Sequence, residues 1–203
     1  MLTRSFAEMT DEDLMLASKD DRAAFEVLVS RYDRKIYNFI RRMIRDRNTM
    51  DDLYQEVFLR AFSTRQRYAP RANFSAWIFT IARNLVIDHH RSRRSNVIAL
   101  GDHLENQSAD SSITPNTSFG ADPEASILRK EREELLMRAM EKLPDSQREV
   151  LVLSRFHHLS YGQIAEITGK SPEAVKQIAY RGVLTLKDLL VGSGKEAKTR
   201  ELQ

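Results

Sequence analysis

Eight arginines surround two aromatic residues between Val57 and Arg94, and these residue types could bind a polyanion. The stretch contains eight arginines and one acid, Asp88, so its local net charge is +7. The arginines are Arg60, Arg65, Arg67, Arg71, Arg83, Arg91, Arg93 and Arg94. Guanidinium groups bind phosphates through paired N–H donors, and the rings of Phe74 and Trp77 could stack on bases. The composition therefore predicts a nucleic-acid surface.

The residues from Phe74 to Arg94 predict the helix that positions this surface. Ser75 is predicted to cap its N-terminus, because a serine hydroxyl accepts a free backbone N–H. An apolar face recurs at helical spacing and indicates a buried side, formed by Trp77, Ile78, Ile81, Ala82, Leu85 and Val86. A polar stripe is formed by Thr80, Asn84, Asp88 and Arg91. Trp77 is as compatible with a core position as with a stacking surface.

An acidic cluster precedes the arginine-rich stretch. The spacing predicts a helix from Thr49, with Asp52 as the partner of Thr49 in a capping box. The helix dipole accounts for acids at positions 51 and 52, but it accounts less well for Gln55 and Glu56. A basic protein partner is the competing interpretation. Near the N-terminus, Thr10 followed by acids at 11–13 predicts another helix start, again with acids where the dipole favours them.

Residues 160–181 have the anatomy of a helix-turn-helix. Gly169 is predicted to adopt a positive φ in the turn, and Ser171 and Pro172 are predicted to begin the second helix. This helix would enter a major groove with its N-terminus first. Its candidate contact residues are Ser171, Pro172, Glu173, Lys176, Gln177, Tyr180 and Arg181. An ordinary helical hairpin is the alternative.

The chain is predicted to be all-α, because strand-like alternation of apolar and polar residues appears nowhere along it. Charge divides it into three parts. Residues 1–95 carry 18 basic and 13 acidic residues. Residues 96–125 carry no basic and five acidic residues, and residues 126–203 carry 14 basic and 11 acidic residues. The middle part is rich in Ser, Asn and Asp and is predicted to be a flexible linker between two small helical domains.

Several classes of function are disfavoured by the sequence. With no cysteine, neither a disulfide nor a thiolate zinc site can form. The histidine pairs at 89–90 and 157–158 do not form a metal-ligand pattern, because neighbours on a helix point apart. No nucleophile–base set or phosphate loop is present, so we expect no enzyme activity, metal or cofactor. The chain has no long apolar run or signal peptide, which predicts a cytoplasmic protein without membrane insertion.

Taken together, these stretches resemble the extracytoplasmic-function (ECF) sigma factors of bacterial RNA polymerase. The likeness covers about residues 10–190. Residues 51–60 resemble the helix that binds core polymerase, residues 74–84 resemble the element that recognises and melts the −10 region, and residues 143–151 with the helix-turn-helix resemble the −35-binding domain.

The resemblance implies a sigma-2-like domain at 1–95, an acidic linker at 96–125 and a sigma-4-like domain at 126–203. It implies partners: core polymerase through its β′ clamp and β flap, promoter DNA and an anti-sigma factor, with no small-molecule substrate. The implied clamp contacts are Asp51, Asp52, Leu53, Gln55, Glu56 and Phe58. In the family a loop before the melting helix holds a flipped base, here Arg71 to Ser75. The implied −10 contacts are Arg71, Asn73, Phe74, Ser75, Trp77, Thr80, Arg83, Asn84, Asp88, Arg91 and Arg94.

The recognition helix departs from the family pattern. Two usual arginines are replaced by Ile178 and Val183, which predicts fewer phosphate contacts or a protein contact instead. Gly182 within the helix predicts a close approach of another element, because glycine costs about 1 kcal/mol against alanine there. Two rivals stay open: a DNA-binding regulator that uses only its helix-turn-helix, and a sigma mimic that binds an anti-sigma factor and never touches DNA.

Overall fold

The computed structural model of this 203-residue protein describes the backbone of residues 6–69, 73–100 and 123–200. Side chains are described in these ranges apart from residues 94–100, 123–130 and 192–200. Regular structure in the described ranges is helical, without strands, so the all-α prediction is confirmed. The α-helices are α1 (Asp11–Ala17), α2 (Arg22–Met43), α3 (Arg47–Thr64), α4 (Phe74–Leu100), α5 (Pro123–Glu141), α6 (Asp145–Leu151), α7 (Tyr161–Thr168) and α8 (Pro172–Arg200).

The chain divides into two compact units, and helices α1 to α4 belong to the first. Its core forms because α2 repeats apolar residues every three or four positions and buries that stripe against α3 and α4. The rings of Phe39 and Phe79 meet edge to face, with centroids 5.5 Å apart. Val57 of α3 and Ile78 of α4 are also fully buried. The apolar face predicted for α4 is a packing face at Ile78, Ala82, Leu85 and Val86, which are buried.

Side-chain caps begin the helices of this unit. Thr10 caps α1 as predicted, with its hydroxyl accepting the Asp13 N–H at 3.1 Å. Helix α3, however, begins at Arg47, and a carboxylate oxygen of Asp46 accepts the Thr49 N–H at 2.8 Å. The predicted start at Thr49 is wrong, because Asp46 is an equally good capping residue one turn earlier. The bonds from Thr49 lower the pKa of the Asp46 carboxyl.

Helices α5, α6 and α8 belong to the second unit. Helix α5 begins at Pro123, in agreement with the sequence, where a proline at this position predicts the first helical residue. Ser146 and Glu149 have the spacing of a capping box, which predicts a helix start at Ser146, but α6 begins at Asp145 without a side-chain cap, so that prediction is wrong. Helix α8 lies close to α6, because a Cβ added at Gly182 would stand 3.1 Å from Cδ1 of Leu151. The close approach predicted from this glycine is confirmed.

Helix α6 continues as a π-helical turn, Val152–Phe156. His158 adopts a φ of 55°, and the Leu159 N–H donates to the Leu153 carbonyl at 3.1 Å. The bond spans six residues and closes the helix end after a residue in the left-handed region, a conformation that glycine normally adopts and that costs a residue with a Cβ about 1 kcal/mol. Gly169, with a φ of 67°, ends α7 at the position predicted from the sequence.

Most of the predicted linker, residues 101–122, lies outside the described residues. Its two ends are helical, since residues 96–100 continue α4 and residues 123–125 begin α5. The linker bounds of 96 and 125 stay a prediction. None of the helices that the structure describes combines the length and the apolar character that a membrane crossing requires.

Candidate nucleic-acid and polymerase interfaces

Asn73, rather than Ser75, caps helix α4. Its side-chain oxygen accepts the Ala76 N–H at 2.9 Å, and its carbonyl accepts the Trp77 N–H at 3.0 Å. The prediction of a Ser75 cap is wrong because the helix begins one residue earlier, at Phe74. Asn73 itself is exposed. The cap uses only the side-chain oxygen, so the amide nitrogen is the group that can donate to a base edge.

Phe74 lies in the core and does not form the stacking wall predicted for it. Its exposed fraction is 0%, and its ring centroid lies 5.0 Å from that of Tyr32 and 6.2 Å from that of Tyr68. Trp77 packs edge to face on Tyr68 at 5.4 Å but stays partly exposed. Of the two predicted aromatic residues, Trp77 is therefore the one that a base can reach.

The polar stripe of α4 faces outward. Asn84, Asp88 and Arg91 are exposed, and Arg83 beside them is partly exposed. Thr80 is partly exposed, and its hydroxyl donates back to the Ala76 carbonyl at 2.7 Å. The predicted DNA contacts Arg71 and the side chain of Arg94 lie outside the described residues. The stripe therefore matches the surface that the sequence predicted as far as it is described.

Arg65 and Arg60 are among the arginines that are engaged within the first unit. Arg65 donates from Nε to the Ser18 carbonyl at 3.1 Å and stacks over the Phe62 ring at 3.8 Å. Arg60 pairs with Glu56 on the next turn of α3, with Nε and Oε1 2.6 Å apart. The exposed Arg60 pair is worth only about 0.3–0.5 kcal/mol and can open, but Arg65 is anchored. The net charge of +7 therefore overstates the cations available to a phosphate backbone.

The acidic cluster forms one face of α3. Asp52 and Gln55 are exposed, and Glu56 is partly exposed. The other predicted clamp contacts are partly exposed, namely Asp51, Leu53 and Phe58. Leu59 was not predicted, yet 64% of its surface is exposed. It follows Asp52, Gln55 and Glu56 at helical spacing, so the same face periodicity could have identified it. This face therefore offers acids beside an apolar residue.

Every predicted contact residue of α8 is exposed. The helix is capped by Ser171, whose hydroxyl accepts the Ala174 N–H at 3.2 Å. The exposed residues are Ser171, Pro172, Glu173, Lys176, Gln177, Tyr180 and Arg181. Val175 and Ala179 are buried on the opposite side of the helix. The first three turns of α8 therefore present a continuous polar face that suits a groove.

Apolar side chains appear on the exposed surface of α8 after Arg181. Val183, Leu184 and Val191 are 41%, 44% and 53% exposed. The sequence predicted fewer phosphate contacts because Ile178 and Val183 stand where the family usually has arginines. Val183 is exposed, and Ile178 is partly buried. Fewer cations predict a duplex affinity that falls less steeply with salt.

Comparison with known proteins identifies the family. The profile for Sigma-70 region 2 matches residues 28–96, and the profile for Sigma-70, region 4 matches residues 133–186. RNA polymerase sigma factor CarQ of Myxococcus xanthus is 32% identical over 168 residues, which cover 82% of this chain and 89% of CarQ. ECF RNA polymerase sigma factor SigW of Bacillus subtilis is 30% identical over 186 residues, which cover 90% of this chain and 97% of SigW. This chain belongs to the ECF sigma factors.

Solved structures support the fold of this sigma factor. CnrH, in complex with the cytosolic domain of CnrY, aligns with a TM-score of 0.65 at 24% identity, covering 90% of this chain and 97% of CnrH. Sigma factor RpoE of Bartonella quintana, in complex with the anti-sigma factor NepR, aligns with a TM-score of 0.67 at 22% identity, covering 82% of this chain and 96% of RpoE. The predicted family and fold are confirmed, and such proteins are initiation factors rather than catalysts.

Proposed function

We propose that this ECF sigma factor docks on core polymerase through α3, binds the −35 element through α8 and captures a −10 base beside Asn73. The proposal rests on one observation: a single compact unit exposes an acidic face with Leu59 on α3 and a polar stripe with Arg91 on α4. The first face suits a basic protein surface, and the second suits a nucleic acid.

Contact with the −35 element uses the first three turns of α8. A base pair presents a distinct pattern of donors and acceptors in the major groove, so a polar helix face can discriminate sequences there. Lys176, Gln177 and Arg181 are exposed and can bind base edges or phosphates. Because the face then turns apolar at Leu184, duplex binding by this helix alone is weak, and the polymerase supplies the remaining affinity.

Strand separation uses the start of α4. Taking a base out of the stack costs a few kcal/mol, which pocket contacts must offset. The Asn73 amide nitrogen can donate to the base edge, and the partly exposed side chain of Trp77 can contact the base. Phe74 is a buried ring that packs beside Trp77, with centroids 5.8 Å apart, and supports it.

An anti-sigma factor is the proposed regulator. RpoE of Bartonella quintana is bound by the anti-sigma factor NepR, and this chain has the same fold at 22% identity. We extend that mode of control to this protein, acting in the cytoplasm where polymerase works. The acidic segment at 96–125 joins the two DNA-binding units and is proposed to pass along the polymerase cleft.

Transcription in vitro tests the proposal. Purified core polymerase, this sigma factor and a library of promoter fragments are expected to yield start sites that depend on the sigma factor. Association with core is measured first, at low salt. Failure to associate would reject the proposal, and specific duplex binding without core would favour the regulator that uses only its helix-turn-helix. Binding to core without any start site would favour the mimic.

Substitution of Asn73 separates capping from base contact. Serine caps helices about as well as asparagine but carries no amide, whereas alanine loses both functions. We expect Asn73→Ser to keep the thermal stability and to slow open-complex formation about tenfold, since one specific base contact is worth about 1–3 kcal/mol. Asn73→Ala is expected to lose about 1 kcal/mol of stability as well. Permanganate reactivity of unpaired thymines measures opening, and a wild-type rate for Asn73→Ser would exclude the amide contact.

A further inference from the structure

Two acids of α1 reach across the first unit to the start of α4. Asp11 accepts a hydrogen bond from the Tyr32 hydroxyl at 2.7 Å. Glu12 accepts the backbone N–H of Phe74 at 3.0 Å through Oε1. The sequence interpretation gave these acids only the role of stabilising the dipole of their own helix. Their side chains instead bond to groups 21 and 62 residues further along the chain.

Helix α1 is itself held firmly, so it can serve as an anchor. Arg31 of α2 donates from Nη1 to an Asp11 carboxylate oxygen at 2.7 Å and to the Met9 carbonyl at 2.9 Å. Its other terminal nitrogen donates to the Ala7 carbonyl at 2.8 Å. Several charge-assisted bonds from one guanidinium fix the residues around the α1 N-terminus on α2.

The first turn of α4 is fixed at two points. Its leading N–H groups have no partner within the helix and need one from outside. Glu12 accepts the N–H of Phe74, and Asn73 accepts the N–H of Ala76. The ring of Tyr32, whose hydroxyl donates to Asp11, packs against the ring of Phe74. Burial, followed by the bond to Asp11, raises the pKa of Tyr32, so its hydroxyl stays protonated.

The hydrogen bond that Glu12 accepts holds the peptide group between Asn73 and Phe74. The Phe74 N–H and the Asn73 carbonyl belong to the same planar unit, and that carbonyl accepts the Trp77 N–H at 3.0 Å. Both polar ends of the plane are therefore occupied, one by Glu12 and one by the helix. Because this plane carries the Cα of Asn73, its orientation determines where the Asn73 side chain points.

Building on the proposed function, we propose that Glu12 is a positioning residue for base capture, which holds the Asn73–Phe74 peptide so that Asn73 meets the flipped base. Such constellations must be held within about 0.5 Å to work. Asp13 offers a matched control, since it is an acid of the same helix turn and is exposed. If Glu12 served only to stabilise the α1 dipole, its substitution would have the same effect as substitution of Asp13.

The experiment compares Glu12→Ala, Glu12→Gln and Asp13→Asn in the full chain. Amide hydrogen exchange at Phe74, followed by NMR, reports the anchor directly. We expect about tenfold faster exchange in Glu12→Ala, a smaller change in Glu12→Gln, which keeps an acceptor oxygen, and no change in Asp13→Asn. Opening is then measured with core polymerase on a promoter recovered by the wild-type protein. We expect Glu12→Ala to open it three- to tenfold more slowly at unchanged core affinity, with Glu12→Gln restoring most of the rate.

The outcomes separate this inference from the proposed function. Wild-type exchange at Phe74 in Glu12→Ala would show that the bond anchors nothing, and the inference would fall. Faster exchange with a wild-type opening rate would also overturn it, while the proposed function would stand. If the wild-type protein opens no promoter with core, the proposed function fails and takes the inference with it. Equal slowing by Asp13→Asn would assign the effect to the charge of α1 rather than to the bond.

Discussion

Phe74→Ala is expected to destabilise the first unit by about 3–5 kcal/mol, the usual cost of emptying a buried phenylalanine site. The ring has no exposed surface and meets those of Tyr32, Tyr68 and Trp77 at 5.0, 6.2 and 5.8 Å. These neighbours belong to three different segments, so they cannot collapse together into the cavity. A small domain has only about 5–15 kcal/mol of stability, so much of this unit would unfold near physiological temperature.

Urea unfolding followed by circular dichroism measures this loss. Phe58→Ala is the matched control, because Phe58 is a phenylalanine of the same unit that is partly exposed. We expect the control to cost less than half as much. Wild-type stability in Phe74→Ala, combined with slow promoter opening, would contradict the buried position and would restore the stacking interpretation of this ring.

Asp52→Arg is expected to weaken binding to core polymerase about ten- to a hundredfold. The side chain is exposed at the N-terminal end of the acidic face of α3, one turn before Gln55 and Glu56. Reversing its charge places a cation against the basic surface proposed to receive this face, and like charges in an interface cost a few kcal/mol. The fold should be unaffected, since exposed substitutions away from special features change stability by less than about 0.5 kcal/mol.

Glu26→Arg supplies the control for charge reversal. Glu26 is exposed on α2 and forms a surface pair with Arg22 at 3.3 Å, which contributes little to stability. We expect it to bind core with wild-type affinity in a fluorescence competition assay, and we expect Asp52→Asn to lie between the two. If Asp52→Arg and the wild type bound core polymerase with equal affinity, α3 would be excluded as the docking helix.

Local patterns of the sequence were sufficient for the helices and for the outer face of α8. Apolar residues at helical spacing report a buried side without knowledge of what covers it, and strand-like alternation is absent from the sequence, so the all-α class followed from local patterns. Gly169 and Ser171 have strong local preferences, which predicted the turn and the α8 start. The family followed from three segments that each combine such local signals.

Helix starts were predicted less well where two nearby residues can both act as the N-cap. Asp46 and Thr49 can both cap a helix, as can Asn73 and Ser75. In the structure Asp46 accepts the N–H of Thr49, and Asn73 accepts the N–H of Ala76. Tertiary packing makes that choice. A wrong start shifts the whole first turn, which is why Phe74 was assigned to the surface instead of the core.

The sequence by itself therefore determined the class of fold, the family and the residues that face outward on α8. Only the tertiary structure decided that Phe74 is buried while Trp77 stays partly exposed, that Arg65 is bound to the Ser18 carbonyl, and that Glu12 holds the start of α4. The physical reason is distance along the chain. Periodicity and capping are set by residues three or four apart, whereas these contacts join residues 47 and 62 apart, whose meeting depends on how whole helices pack.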